Sequence, residues 1–197
     1  AELSDQKQRS FSESLSQYGP SSGESQNTRT NRAAFLHVAS GLETVDLNAG
    51  ARIEDNELFG STSTWQVGAS WGYAKDGRFR ASAGTGIKEP TFFENYATGF
   101  TIGNPDLAPE RSSSWEVGWE QGLLDGGVNF SGVWFDQDFQ DLIQYTFSPP
   151  NPGDPNYFNV AEASARGFEA SMSISSGALT AGGDFTWLAT EGIDSGF

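Results

Sequence analysis

The sequence contains no cysteine among its 197 residues. This excludes structural disulfides, thiolate metal sites and cysteine nucleophiles. It also has little positive charge: 11 Lys and Arg stand against 26 Asp and Glu, and the formal net charge is −15. A balance of this sign disfavours binding to a phosphate backbone, so we expect no nucleic-acid partner. Acidity of this size is typical of a well-solvated surface.

Long hydrophobic runs are also missing, because none approaches the ~20 residues that a spanning helix needs. The first residues lack the basic start and apolar core of a signal peptide, so we expect the chain to begin in mature sequence or mid-protein. The segment 190–197 is predicted to be a loop rather than a finished strand. Two classes of protein stay open. One is a soluble β-rich domain, and the other is a transmembrane barrel, whose strands alternate apolar and polar residues and therefore contain no long hydrophobic run.

Period-2 alternation is the strongest pattern that is present. From Trp65 to Tyr73, every odd position is apolar and every even position is polar or glycine. The same alternation occurs in segments 45–53, 79–88, 115–120, 168–174 and 179–187.

Three further segments give a weaker signal. Val133 and Phe135 break the phase of a strand that begins near Val128, and segment 32–38 is apolar on both faces. A weak first strand is predicted near 10–18. We therefore predict an all-β antiparallel fold of about nine strands, with no helix longer than a turn or two.

The predicted connections alternate between short and long. Tight turns rich in Asp and Gly are predicted at 40–43, 75–77, 124–127 and 175–177. Longer links are predicted at 19–30, 54–63, 89–113, 145–157 and after 189. Short turns at one end and long loops at the other are the layout of an up-and-down outer-membrane barrel, with periplasmic turns and extracellular loops.

The two faces of the strands differ in composition. The polar face mixes Gly, Ser, Asn, Asp, Glu and Arg, as expected for a barrel lumen, whereas the water-facing side of a sandwich is usually rich in Lys, Glu and Thr. The apolar face carries large aromatic side chains, namely Trp65, Trp71, Tyr73, Trp115, Trp119, Trp134 and Trp187. These side chains suit the aromatic girdles of a membrane barrel. A sandwich core built from the same side chains stays open as the alternative.

Motifs for catalysis are weak. The segment 68–72 fits G-x-S-x-G, but Ser70 lies within an alternating strand and the only histidine, His37, is upstream. Asp136, Asp138 and Asp141 suggest a cation site, but the glycine and terminal glutamate of a Ca²⁺ loop are missing. We predict that the protein is not an enzyme and has no cofactor or metal site.

Aromatic residues in the long links are the better candidates for function, because rigid aromatic side chains suit capture of a bulky ligand. Packing of these rings within the loops is the alternative. The candidate ligand-binding residues are Phe92, Phe93, Tyr96, Phe100, Tyr145 and Tyr157.

Segments within 47–189 resemble, in family order, the C-terminal barrel region of TonB-dependent outer-membrane receptors. The most specific is 103–112 (GNPDLAPERS), followed by Trp115-Glu116-Val117-Gly118. In the first, we expect Glu110 and Arg111 to pair as the chain re-enters the barrel. Segments 47–55, 80–91, 141–143, 157–160 and 165–169 match further family patterns, although Glu89 stands where alanine is common.

The resemblance implies outer-membrane transport, in the manner of siderophore and vitamin B12 receptors. A small or truncated outer-membrane barrel with a binding or structural role is the alternative. Residues 1–197 would form part of a 22-stranded barrel, without the plug domain or the final strands. The implied partners are outer-membrane lipid, the plug and remaining strands, TonB and a nutrient ligand. The polar-face residues implied to face the plug are Asp46, Arg52, Arg80, Lys88, Glu116, Glu120, Glu169 and Asp184.

Overall fold

A computed structural model describes residues 2–16 and 19–193. Within these ranges, nine strands form a single sheet, together with one short helix. In this part of the chain we find no helical segment with the length and hydropathy of a membrane span. The elements are β1 (Glu2–Ser16), β2 (Gly19–Leu42), β3 (Val45–Asn56), β4 (Gly60–Ala74), β5 (Gly77–Lys88), α1 (Phe92–Tyr96), β6 (Glu110–Leu123), β7 (Val128–Tyr145), β8 (Tyr157–Ser176) and β9 (Leu179–Ile193).

The strands are paired antiparallel in sequence order, with β1 and β9 as the two edges of the sheet. The predicted all-β, up-and-down antiparallel fold is confirmed. A sandwich is excluded because all nine strands belong to one sheet, and Ala33 and Leu107 are the buried apolar residues of the described chain. The nine strands also do not close into a small barrel of their own.

Strand register divides the side chains between two faces, because directly paired residues of neighbouring strands point the same way. The alternation seen in the sequence follows from this division. The polar face carries all eight charged residues named above: Asp46, Arg52, Arg80, Lys88, Glu116, Glu120, Glu169 and Asp184. On the opposite, apolar face, large side chains are exposed rather than buried, among them Leu36, Leu47, Val67, Val117 and Phe185.

The apolar face forms a continuous band across the sheet. On β3 it runs from Val45 to Ile53, and on β4 from Trp71 to Trp65. At ~3.4 Å per residue and a strand tilt of about 45°, the β3 segment spans roughly 20 Å of membrane thickness. On the same face, beyond the band and towards the long links, the residues become polar: Ser63, Ser113, Asp136 and Arg166.

Aromatic rings lie at the border of this band that is nearer to the tight turns. Trp71, Tyr73 and Phe79 contact one another, with ring centroids 5.0–6.2 Å apart. The indole N–H of Trp119 donates to the Tyr73 hydroxyl at 2.9 Å. Rings with an apolar body and a polar tip suit the boundary between membrane and water.

The two longest connections lie at one end of the sheet, as the sequence predicts, although the β3–β4 link at that same end is short. Tight turns follow β2, β4, β6 and β8 at one end, the turn end; in the third of these, Leu124 and Asp125 adopt positive φ angles of 56° and 51°. The two longest links, 89–109 and 146–156, lie at the opposite end, the loop end.

Several predicted element boundaries are wrong. Segment 19–30 is part of β2, which pairs with β1 along its length, instead of a loop. The link predicted at 54–63 shrinks to residues 57–59. The predicted tail loop continues β9 to Ile193, and residues 194–197 lie outside the described ranges. The predicted first strand at 10–18 begins at Glu2, and residues 17 and 18 are likewise outside.

Register also resolves the two ambiguous segments. Phe35 pairs with Arg52 and therefore lies on the polar face, whereas Leu36 belongs to the apolar face. Val133 and Phe135 lie on the polar face of β7. The Phe135 ring occupies the space above Gly167, where an added Cβ would approach to 2.6 Å. An apolar ring on the polar face is thus accommodated by a residue without a side chain.

Candidate functional site

The longest link begins with a local helix signal. Thr91 is the N-cap of α1: its hydroxyl accepts from the Glu94 amide at 3.2 Å, and the Glu94 carboxylate accepts from the Thr91 amide at 2.6 Å. This reciprocal capping box satisfies amides that the first helical turn leaves free. Pro90, fully buried, precedes it.

A buried charge anchors the start of this link to β2. The Arg29 guanidinium, with its side chain 8% exposed, lies 2.9 Å from the Glu89 carboxylate. It also donates to the Pro90 carbonyl at 2.7 Å and to the Gln6 side chain at 2.7 Å. The rings of Phe59 and Phe92 lie within 5.7 Å and 4.9 Å of it. One side chain thereby joins β1, β2, the β3–β4 turn and the α1 link.

Two asparagines complete this anchor, which we call the Arg29 clamp (Arg29, Asn31, Asn56 and Glu89). Asn31 and Asn56 donate to the Glu89 carboxylate at 2.8 Å and 2.7 Å. Asn31 also hydrogen-bonds Glu54. Because Asn31 pairs with Asn56 in the ladder, and Asn56 lies four residues beyond Arg52 on the same strand, the clamp lies on the polar face. The α1 link therefore folds inward over that face.

A second anchor joins the α1 link to the link 146–156. Asn95, 2% exposed, donates to the Asn104 carbonyl, and Asn104 donates to the Tyr157 carbonyl, both at 2.9 Å. Asn156, 6% exposed, accepts from the Ile102 amide and donates to the Thr146 carbonyl. Each amide side chain acts as donor or acceptor to backbone groups of the two links and of the start of β8.

Asn159 extends this asparagine network. Its side chain accepts from the Ala108 amide at 2.7 Å and donates to the Ala108 and Asp141 carbonyls. The sequence block 103–112 thus ties two loops and β8 together.

Two groups of aromatic side chains result. Phe93, Tyr157, Tyr145 and Phe147 form a chain of ring contacts, with centroids 4.8–6.3 Å apart. On another side of α1, Phe92 stacks with Tyr96 at 6.5 Å and covers Arg29. Phe100 contacts neither group and is 92% exposed at the tip of the link. The six candidate residues therefore lie in one loop cluster but in three settings.

The environment of Tyr157 changes its titration. Burial raises the pKa of the Tyr157 phenol above its usual value, and the Glu94 carboxylate and Tyr145 raise it further. The neutral phenol is the form favoured in the folded loops. Because ionisation would place a negative charge beside Glu94, alkaline pH weakens the cluster.

We expect the loop cluster to loosen only above pH 10, the ordinary pKa of tyrosine. A phenol whose pKa is raised on folding costs no stability below that value, and the cost grows as the pH rises towards the folded pKa. Ultraviolet difference titration at the tyrosinate band should lose its most alkaline component in Tyr157→Phe. An unchanged titration curve in that variant would contradict the assignment, and Tyr96→Phe is the control.

Charges on the polar face form pairs across β5 and β6. The Arg80 side chain lies over Gly118 and reaches Glu120 at 3.6 Å, while Lys88 contacts Glu110 at 2.9 Å. Glu110 does not pair with Arg111, contrary to the sequence prediction, because adjacent strand residues point to opposite faces.

The remaining polar-face charges divide into two groups. Arg52 pairs with Glu54 and Glu2, and Asp46 accepts from Ser70. Glu116, Glu169 and Asp184 have no ion pair in the described part of the chain. They lie on the polar face of β6, β8 and β9.

The residues weighed for other chemistry are dispersed. Asp136 and Asp138 lie on the apolar-face side above the band, and Asp141 lies in a bulge of β7 with φ of 56°. Among the described residues, no group of three or more His, Cys, Asp or Glu could hold a metal ion. Ser70 is a polar-face strand residue opposite Arg80.

Sequence reasoning missed Arg29, Asn156 and the structural part played by Glu89. Arg29 falls in a segment without alternation, so no pattern indicated its direction. The one signal in the sequence that could have indicated this anchor was Glu89, which stands where the family pattern usually has alanine.

The sheet has an exposed apolar band on one face and charged residues on the other, and its two longest links lie at the same end. These features are typical of the wall of an outer-membrane β-barrel. The family model "TonB dependent receptor-like, beta-barrel" matches residues 3–196. The chain belongs to this family, whose members are receptors and transporters, and it is an outer-membrane protein. From here on, the polar face is called lumenal.

Solved structures share the fold at low sequence identity. The siderophore receptor PirA from Pseudomonas aeruginosa is 19% identical with a TM-score of 0.73, covering 84% of this chain and 32% of that one. The FrpB iron transporter from Neisseria meningitidis is 19% identical with a TM-score of 0.71, covering 87% and 27%. The RagAB peptide importer is 17% identical with a TM-score of 0.66, covering 89% and 23%. The chain thus spans about a third or less of these structures.

Proposed function

We propose that the chain is part of the barrel of a TonB-dependent receptor that imports a bulky nutrient of the siderophore or vitamin B12 class. The observation that carries this proposal is the α1 link. It folds inward over the lumenal face, is held by two polar anchors, and presents Phe93, Tyr145 and Tyr157 as one aromatic surface. Rigid rings on a preorganised loop bind bulky ligands with a small entropy cost.

The rest of the receptor follows from the same proposal. Residues 1–197 would supply nine strands of a barrel of about 22 strands. A plug domain would fill the lumen, and its cations would contact Glu116, Glu169 and Asp184, which lack partners among the described residues. Asp46, Arg52, Arg80, Lys88 and Glu120 would present hydrogen-bonding groups to the plug beside them. TonB would supply the energy for uptake.

The decisive experiment measures uptake and binding together. Cells that express the receptor polypeptide containing this chain are given labelled ferric siderophores and cobalamin, with and without TonB. We expect uptake of one ligand class, lost when TonB is depleted, and surface binding that persists. Binding without TonB-dependent uptake would support the alternative, a barrel with a binding or structural role. No binding of either ligand class would overturn the transport proposal and leave only a structural role.

The aromatic surface makes a separate prediction. Phe93→Ala and Tyr145→Ala are each expected to weaken ligand binding about 10-fold or more. The ligand would bury these exposed rings, and truncating an aromatic contact in an interface costs about 1–3 kcal/mol. Equilibrium binding to whole cells measures the change. Phe185→Ala, on the membrane side of β9, is the matched control and should leave affinity unchanged. Equal effects of all three variants would assign the loss to folding instead.

A further inference from the structure

The ring contacts in the loop cluster are made edge to face. The Phe93 and Tyr157 rings meet at an interplanar angle of 81°. Tyr145 meets Tyr157 at 61° and Phe147 at 87°. Rings packed in this way turn their faces in different directions, and Phe93 and Phe147 are 54% and 82% exposed. We call these four rings the aromatic cage (Phe93, Tyr145, Phe147 and Tyr157), because a ligand can meet ring faces from more than one side.

The links at the loop end carry acidic residues and no basic ones. No Lys, Arg or His occurs in the links 57–59, 89–109 and 146–156. The acidic residues of these links are Glu57, Glu89, Glu94, Asp106 and Asp154. The cage, formed by these links and the strand ends beside them, therefore lies in a region of negative charge.

The cations that flank the α1 link are engaged elsewhere. Arg29 is paired with Glu89 and covers the rings of Phe59 and Phe92. Lys88 is paired with Glu110, and Arg111 lies on the membrane face of β6, in register with Ile87. Within the described chain, no cation covers a ring of the cage.

Glu94 places a carboxylate beside the cage. It follows Phe93 on α1, and after burial its charge is the next cause of the raised pKa of the Tyr157 phenol. Its Oε2 atom accepts from the Thr91 amide, whereas Oε1 has no partner among the described residues. The buried Asn95 Oδ1 also lacks a donor in this part of the chain. One full and one partial negative charge on α1 are therefore left without a compensating group.

We propose that the aromatic cage binds an ammonium or similar organic cation carried by the nutrient, with ring faces around the cation and Glu94 as its counter-charge. The face of an aromatic ring is its electronegative side, and several such faces together suit a quaternary ammonium group. This inference rests on the proposed transport function and narrows it to positively charged ligands. Anionic chelates, such as ferric catecholates, are the class least suited to the cage.

The main experiment compares one ferric chelate in three charge states. A linear trihydroxamate chelate with a free terminal amine is cationic, its N-acetyl derivative is neutral and its N-succinyl derivative is anionic. Equilibrium binding is measured on the receptor polypeptide that contains this chain, in mild detergent. We expect the cationic form to bind about 10-fold more tightly than the neutral form, and the anionic form to bind most weakly. Equal binding of all three, or tightest binding of the anionic form, would overturn the proposal.

Variants assign the charge preference to the cage. Glu94→Gln removes the charge and keeps the capping box, because glutamine also serves in that position, and it should lower the preference about 5-fold. Tyr145→Leu removes a ring face and should weaken the cationic form more than the neutral form. Glu57→Gln, in another link at the same end, is the matched control and should leave the preference unchanged. An equal fall in the Glu57 and Glu94 variants would exclude the cage as its source.

A second pair of probes does not depend on the transport proposal. Choline carries a quaternary ammonium, and dimethylbutanol has the same shape without the charge. Saturation-transfer NMR on the same receptor preparation should detect bound choline and not dimethylbutanol, and Glu94→Gln should reduce the choline signal. That result would support the cage even if no siderophore were imported, and it decides the matter if none of the three chelates binds. Equal signals from the two compounds would overturn the cage even if TonB-dependent uptake of a nutrient were established.

Discussion

Replacing Arg29 with methionine is expected to release the α1 link from the wall. Breaking a buried ion pair from one side costs about 3–5 kcal/mol, because the partner charge stays buried without its counter-charge. The Glu89 carboxylate would keep only the amides of Asn31 and Asn56. The strands of the sheet have their own ladder bonds, so the loss should be local.

Amide hydrogen exchange measures this local loss of stability in the α1 link directly. The amides of Gly103 and Asn104, bonded within the link to the carbonyls of Ala97 and Glu94, should exchange about 10²–10³-fold faster in Arg29→Met. Lys88→Met is the control: its pair with Glu110 joins a side chain that is 60% exposed, and such pairs contribute under about 1 kcal/mol. The double variant Arg29→Met with Glu89→Met should exchange more slowly than Arg29→Met alone. Additive effects in that comparison would refute the clamp as a coupled pair.

Gly103→Ala should have a smaller but still large effect, for a different reason. A Cβ at Gly103 would lie 2.6 Å from backbone atoms of Asn95, Tyr96 and Ala97. Backbone cannot move aside as a flexible side chain can, so the α1 turn must shift. Overpacking of this kind costs about 1–3 kcal/mol. We expect weaker ligand binding together with unchanged barrel formation.

Gel mobility of the unheated protein reports the folded barrel, and ligand binding reports the loop. Gly183→Ala is the control, because no atom lies within 4 Å of the added group. Wild-type ligand affinity in Gly103→Ala would show that the packing of α1 against Gly103 is not needed for binding. Loss of the folded barrel in that variant would contradict a local role.

Much of the wall was predictable because lipid imposes a pattern on the sequence. Between Val45 and Ile53, one face meets hydrocarbon and the other meets a polar lumen, so residues alternate. The loop-end half of β2 has no such signal, because neither of its faces lies in the apolar band. Segment 19–30 therefore looked like a loop although it is a strand.

The candidate site was predictable in its residue types and not in its arrangement. Aromatic residues in long links indicated a ligand surface. Their division into three settings depends on contacts between residues far apart in sequence, such as Arg29 with Phe92 and Phe93 with Tyr157. Alternation within one strand carries no information about such pairs.

The hydrogen bond from the Gly103 amide to the Ala97 carbonyl, 2.8 Å long, closes the α1 link into a small ring of chain. Phe100 and Gly99, whose φ is 107°, lie at the tip of that ring, beyond both anchors. The tip can sample positions within nanoseconds to microseconds while the base stays fixed. The mobile tip would then determine the rate of ligand association, and the fixed base would determine the rate of dissociation. Phe100→Ala should therefore slow association and leave the dissociation rate unchanged.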